Sequence, residues 1–107
     1  MAISDEQVAF ALDLFAGVGP LTTRKMFGGL GIYADGQIFA LVMSTGEIRL
    51  KAVGPMIDIL KTEGWSQWTY ERKNGAMSSM PYWQIPDDIL DDPDAASAWA
   101  RRAVSFL

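Results

Sequence analysis

The spacing of apolar residues along this chain alternates between helical and strand periods. Ser4 and Gln7 stand three apart, as a capping box requires, and Val8, Ala11, Leu12 and Phe15 follow at i, i+3, i+4 and i+7. This predicts a first helix opening at Ser4 and stopped by Gly17 and Pro20. Phe10 and Leu14 widen its apolar face, so the helix is expected to be covered on more than one side. From Met26 to Lys51 the period falls to two, with Asp35-Gly36 and Ser44-Thr45-Gly46 as turns. Three consecutive antiparallel strands are expected. The last of them sets Ile48, Leu50 and Ala52 against Glu47, Arg49 and Lys51, one buried face and one charged face.

Pro55, the apolar group Met56, Ile57, Ile59 and Leu60, and then Gly64 predict a second helix of two to three turns that packs on the sheet. Trp68 and Tyr70 alternate with Thr69 and Glu71, and Asn74-Gly75 turns the chain into a strand from Ser78 to Ile85. Pro81 lacks an N–H, so this last strand should be an edge strand or be bulged at that residue. Asp92-Pro93-Asp94 starts a closing helix with Ala96, Trp99, Ala103 and Phe106 on one face and Arg101 and Arg102 near its end. The expected order is α-β-β-β-α-β-β-α: an α+β domain with a five-stranded antiparallel sheet and helices on one face.

Composition narrows the function. The 107 residues suit one domain, read here as spanning 1–107, and 50% apolar residues give it enough surface to bury. The longest apolar run, Ile38 to Met43, is far shorter than the roughly 20 residues of a membrane-spanning helix. Asp5 and Glu6 stand where a secretory signal would be basic, and there is no cysteine, so a cytoplasmic setting is expected. The sequence has no histidine either, which excludes histidine and cysteine catalysis. A net charge of −4 disfavours unaided, direct binding to nucleic acid.

Three constellations invite a chemical reading. Gly29, Gly31 and Ala34 match G-x-G-x-x-A, but a dinucleotide fingerprint needs a following helix, whereas this run leads into Asp35-Gly36 and another strand. Gly28, Gly29 and Gly31 are better read as a bulge or as the close approach of a packed ring. The aspartates between Asp87 and Asp94 lack the EF-hand spacing and sit where helix starts use carboxylates. Arg24, Lys25, Arg49, Lys51, Arg72 and Lys73 could gather on the solvent side of the sheet. No catalytic residue, cofactor or metal ligand is assigned.

Several segments together resemble one family: RKMFGGLGIY at Arg24 to Tyr33, GQIFALV at Gly36 to Val42, LKA at Leu50 to Ala52, PYW at Pro81 to Trp83, Pro86, and a last helix containing Trp99. They look like the N-terminal domain of the TfoX (Sxy) family of bacterial competence regulators. The resemblance implies a fold similar to secretion chaperones and a non-enzymatic part in transcriptional regulation of competence genes and DNA transformation. Full-length members carry a second, C-terminal domain. The partner implied is a protein such as a transcription regulator, with a homodimer as a further option. The candidate contact surface is Arg24, Phe27, Gly28, Gly29, Gly31, Tyr33, Lys51, Tyr82 and Trp83. The alternative is a domain that binds a small ligand, or acts as a chaperone, through an apolar groove between sheet and helices.

Overall fold

The fold is known from a computed structural model that describes residues 3–26 and 28–107. Helix α1 (Asp5–Leu14) begins where the capping box sets it: Gln7 N donates to Ser4 Oγ at 3.1 Å, and Ser4 N donates to Gln7 Oε1 at 2.9 Å. A single 3-10 turn, Ala16–Val18, follows. Proline opens both α2 (Pro55–Thr62) and α4 (Pro93–Val104), where its missing N–H leaves no helical bond unmade. Asp92 caps α4 by accepting from Ala95 N at 3.2 Å. A one-turn helix, α3 (Asp87–Leu90), extends the expected order; Leu90 N donates to the Pro86 carbonyl at 3.1 Å. One turn is too short to show a helical period in sequence.

The sheet has six strands, not the five expected. Three expected strands are β2 (Gly29–Ala34), β3 (Gln37–Val42) and β4 (Ile48–Lys51), and the second hairpin is β5 (Ser66–Glu71) and β6 (Met77–Gln84). The addition is β1 (Leu21–Met26), which pairs antiparallel with β2 from Leu21↔Ala34 to Met26↔Gly29. Its residues Thr22 to Lys25 are all exposed, so no apolar alternation announces it. Backbone hydrogen bonding to one neighbour holds this edge in place. The strand order is β1-β2-β3-β4-β6-β5, with every neighbouring pair antiparallel. Asp35 and Gly36 have φ of 52° and 78°, the two positive values of a type I′ hairpin.

Pro81 therefore lies in an interior strand, between β4 and β5, and the strand bulges there. The register passes from Gln67↔Trp83 to Thr69↔Ser79, so three residues of β6 face Trp68 alone. Two hydrogen bonds close the gap. Ala52 N donates to the Pro81 carbonyl at 3.0 Å, and Gln67 Nε2 donates to the Met80 carbonyl at 3.0 Å.

A second bulge divides the two faces. Ile32 pairs with Ala40 and Tyr33 with Ile38, leaving Phe39 as an extra residue in β3. Phe39 and Ala40 both join the buried core, where the Phe39 ring meets Phe15 edge-on at 5.3 Å. That core also gathers Leu30, Ile32, Ile48 and Leu50 from the sheet, Met56 and Leu60 from α2, and Ala96, Ala100 and Ala103 from α4. The tilted pair Trp65–Trp99, 5.2 Å apart, closes one side. Phe10 departs from expectation: at 49% exposed it points away from this core, so α1 is covered along the Ala11–Leu14–Phe15 side. Phe106 is likewise exposed, beyond the end of α4.

Ser97, buried on α4, joins the two ends of the chain. Its Oγ donates to the Leu14 carbonyl at 2.9 Å and accepts from Gly17 N at 3.1 Å, and Arg101 Nη1 donates to the Gly17 carbonyl at 3.0 Å. Gly17 permits the approach, because a Cβ there would stand 2.8 Å from Ser97 Cβ. Ser97→Ala strips both backbone groups of their partner and should lower stability by about 1–3 kcal/mol. Denaturant unfolding checks this: the midpoint should fall with the slope unchanged, and an unmoved midpoint contradicts the clasp.

Candidate functional site

Paired residues on neighbouring strands share a face, so the register assigns the side chains opposite the helices. Arg24 pairs with Gly31, Thr22 with Tyr33, Tyr33 with Ile38, Gly31 with Leu41, Leu41 with Arg49, Arg49 with Gln84, and Lys51 with Tyr82. Because of the Phe39 bulge, Ile38 and Leu41 reach this outer face together although they are three residues apart. Leu41 and Tyr82 are buried yet stand outside the helix-covered core cluster. Long side chains roof them: Trp68 lies 6.4 Å from the Tyr82 ring, and the Arg49 guanidinium sits 4.4 Å over the Trp68 ring.

The candidate residues divide accordingly. Arg24, Gly31, Tyr33, Lys51 and Tyr82 share the outer face. Gly31 is its floor, since a Cβ there would come within 3.2 Å of Ile38, Met26 and Tyr33 side-chain atoms. Gly29 answers to the backbone instead: its Cβ would stand 2.3 Å from the Val42 carbonyl oxygen. Gly28, with φ of 73°, is an exposed turn residue, and Phe27 lies outside the described residues. Trp83 is the misfit. It pairs with Leu50 and is 3% exposed in the core, so its indole supports the sheet from the helix side and is not part of the outer face. Arg49 and Trp68 are outer-face residues that the candidate list lacks. The alternation Ile48-Arg49-Leu50-Lys51 places Arg49 on that face, whereas its contact with Trp68 spans strands and leaves no trace in the chain order.

Charge follows the same division. Six of the nine basic residues, Arg24, Lys25, Arg49, Lys51, Arg72 and Lys73, belong to the sheet and its hairpins, against three acidic residues there, Asp35, Glu47 and Glu71. The helices and the residues capping them hold the other three basic and ten acidic residues. The sheet layer is thus +3 and the helical layer −7, which together give the net −4.

Residues 13–107 match the family profile described as the TfoX N-terminal domain. The chain belongs to the TfoX N-terminal domain family. No curated protein matches it. In this TfoX N-terminal domain the G-x-G-x-x-A residues all lie within β2, and a strand rather than a helix follows them. Among the described residues no three carboxylates converge as metal ligands would, and no helix is long and apolar enough to cross a membrane. Where α1 meets the sheet there is an open hollow of about 200 Å³ bordered by Gln7, Phe10, Val42 and Ile48. On the other side, Thr22, Thr23, Arg24, Tyr33 and Gly36 border one of about 330 Å³ at the sheet edge.

Two outcomes follow for the outer face. Burial first, and then the neighbouring Tyr33, hold the Tyr82 phenol above the usual tyrosine value near 10. The folded chain keeps a proton that the unfolded chain loses, so this stabilisation is present below about pH 10 and fades as pH rises through the folded pKa. The tyrosinate absorbance of the wild type minus that of Tyr82→Phe should titrate above pH 10; a midpoint at or below 10 contradicts it. Gly29→Ala should cost about 1–3 kcal/mol because backbone must shift to admit the methyl, again read from the unfolding midpoint.

Proposed function

We propose that this domain is a non-enzymatic regulatory module that works by protein contact, with the outer face of the sheet as its contact surface. The observation that carries the reading is the division of charge: a protein of net negative charge gathers cations on one side, where Arg24, Arg49 and Lys51 surround the half-buried rings of Tyr33 and Trp68 and the buried ring of Tyr82. Such a face has the makings of an interface, with arginine and aromatic anchors over an apolar floor. Membership of the TfoX N-terminal family supports a regulatory role in the cytoplasm, in competence or a related programme of transcription, with a transcription regulator as the partner. The contact is read as one with protein rather than directly with nucleic acid, because a chain of net charge −4 lacks the broad positive field that holds a phosphate backbone unaided.

Charge reversal tests it. The double variant Arg24→Glu, Lys51→Glu alters exposed and half-exposed positions and should leave the fold intact. Affinity capture from the native host followed by mass spectrometry should recover a specific protein with the wild type and lose most of it with the variant. Equal recovery from both, with the variant's circular dichroism unchanged, rules out this face.

A further inference from the structure

Arg49 is the least satisfied charged group in the described structure. It sits on β4, the strand that joins the two halves of the sheet, and its side chain is 12% exposed. Nη2 donates to Glu47 Oε2 at 3.0 Å, but Nη1 is buried and has no hydrogen-bond partner among the described residues. A guanidinium offers five donors in a planar fork suited to a carboxylate, and a buried donor left unpaired costs about 1–3 kcal/mol. Trp68 stacks on the guanidinium and satisfies its charge in part, while offering Nη1 no acceptor.

The surroundings say what would complete it. Lys51 stands two residues along the same strand on the same face, and Arg24 lies at the far edge beside Tyr33. Between them Ile38 and Leu41 form an apolar floor, and Tyr82 continues it on β6, on the other side of Lys51. Glu47 already shows the complementary chemistry, a carboxylate held by the fork from the turn preceding β4. Thr45 Oγ1 donates to its other oxygen at 3.2 Å, which keeps that carboxylate in place.

The geometry points to Arg49 as the receptor for a carboxylate on an acidic segment of a protein partner, admitted when the Trp68 ring swings off the guanidinium. One acidic side chain takes up Nη1, apolar neighbours in the segment settle on Ile38, Leu41 and Tyr82, and further carboxylates meet Lys51 and Arg24. Glu47 is then an internal competitor that holds the fork in the free protein. This assignment rests on the outer face being the contact surface, and it adds the chemistry of what binds there.

The probe is a short blocked peptide alternating glutamate with leucine, compared with the same peptide carrying glutamine or lysine in place of glutamate. Binding is followed by tryptophan emission, with Trp68→Phe identifying the part of the signal that belongs to Trp68. The glutamate peptide should bind and change that signal, more weakly as salt rises, and the other two should not. Arg49→Gln should weaken binding about tenfold or more. Glu47→Gln should strengthen it severalfold, an effect that a purely structural role for Arg49 would not produce.

Preference for the lysine peptide overturns the assignment, as does undiminished binding to a folded Arg49→Gln variant. Should that variant not fold, Glu47→Gln and Lys51→Gln decide: weaker binding to the first, or unchanged binding to the second, overturns it. If the peptides fail while the Arg24→Glu, Lys51→Glu variant still loses its protein partner, the carboxylate receptor falls and the contact surface stands. If that variant retains its partner, the contact surface itself falls.

Discussion

One surplus residue in β3 decides what each side of this sheet is made of. Strict alternation would send Phe39 to the face opposite Ala40; the bulge instead turns both inward, where Phe39 fills the space against Phe15. Ile38 and Leu41 are thereby released to the other side. That side gains an apolar floor without any loss to the core, and Gly31, the residue paired with Leu41, leaves room for Ile38, Met26 and Tyr33 to meet over it.

The division of composition that results is physical as well as geometric. Helix starts and caps attract carboxylates because those oxygens accept the unpaired N–H groups and face the positive end of the helix dipole, as Asp92 does at α4. Solvent-facing strand positions have no such preference and here carry cations. Acidic helices on one side and a basic sheet on the other are the outcome, in a chain whose net charge alone would suggest a uniformly acidic surface. A partner approaching this molecule meets two different faces, and the sheet face is the one that joins a positive charge balance to the rings of Tyr33, Trp68 and Tyr82.

Both ends of the chain are committed to the same support. Ser97 and Arg101 on the last helix satisfy the backbone where the first helix gives way to β1, so the edge of the sheet that carries Arg24 is anchored through contacts 80 to 84 residues apart. At the opposite side of the sheet, the Gln67 side chain donates to the Met80 carbonyl beside Pro81, and the bulge it closes is the place where Trp68 stands opposite three residues of β6. The rings and cations of the outer face thus rest on features that are themselves interruptions of regular structure.

By itself the sequence determined the local elements: the capping box at Ser4 and Gln7, the Asp35-Gly36 turn, the alternation of β4 and the proline starts of α2 and α4 are all dictated by residues within a few positions of one another. It also carried the family motifs and named Arg24, Tyr33 and Lys51 as candidates, whereas their sharing a face depends on the pairing of β1 through β4 with β6. What only the tertiary structure decided depends on residues distant in the chain. The exposed strand Leu21–Met26 has no apolar pattern because its hold is backbone pairing with β2. Trp83 is core through the face on which it pairs with Leu50, and Arg49 on β4 meets Trp68 on β5 only across the intervening β6. Alternation tells which residues share a side of a strand; which side is covered, and by what, is fixed only when the strands find their neighbours.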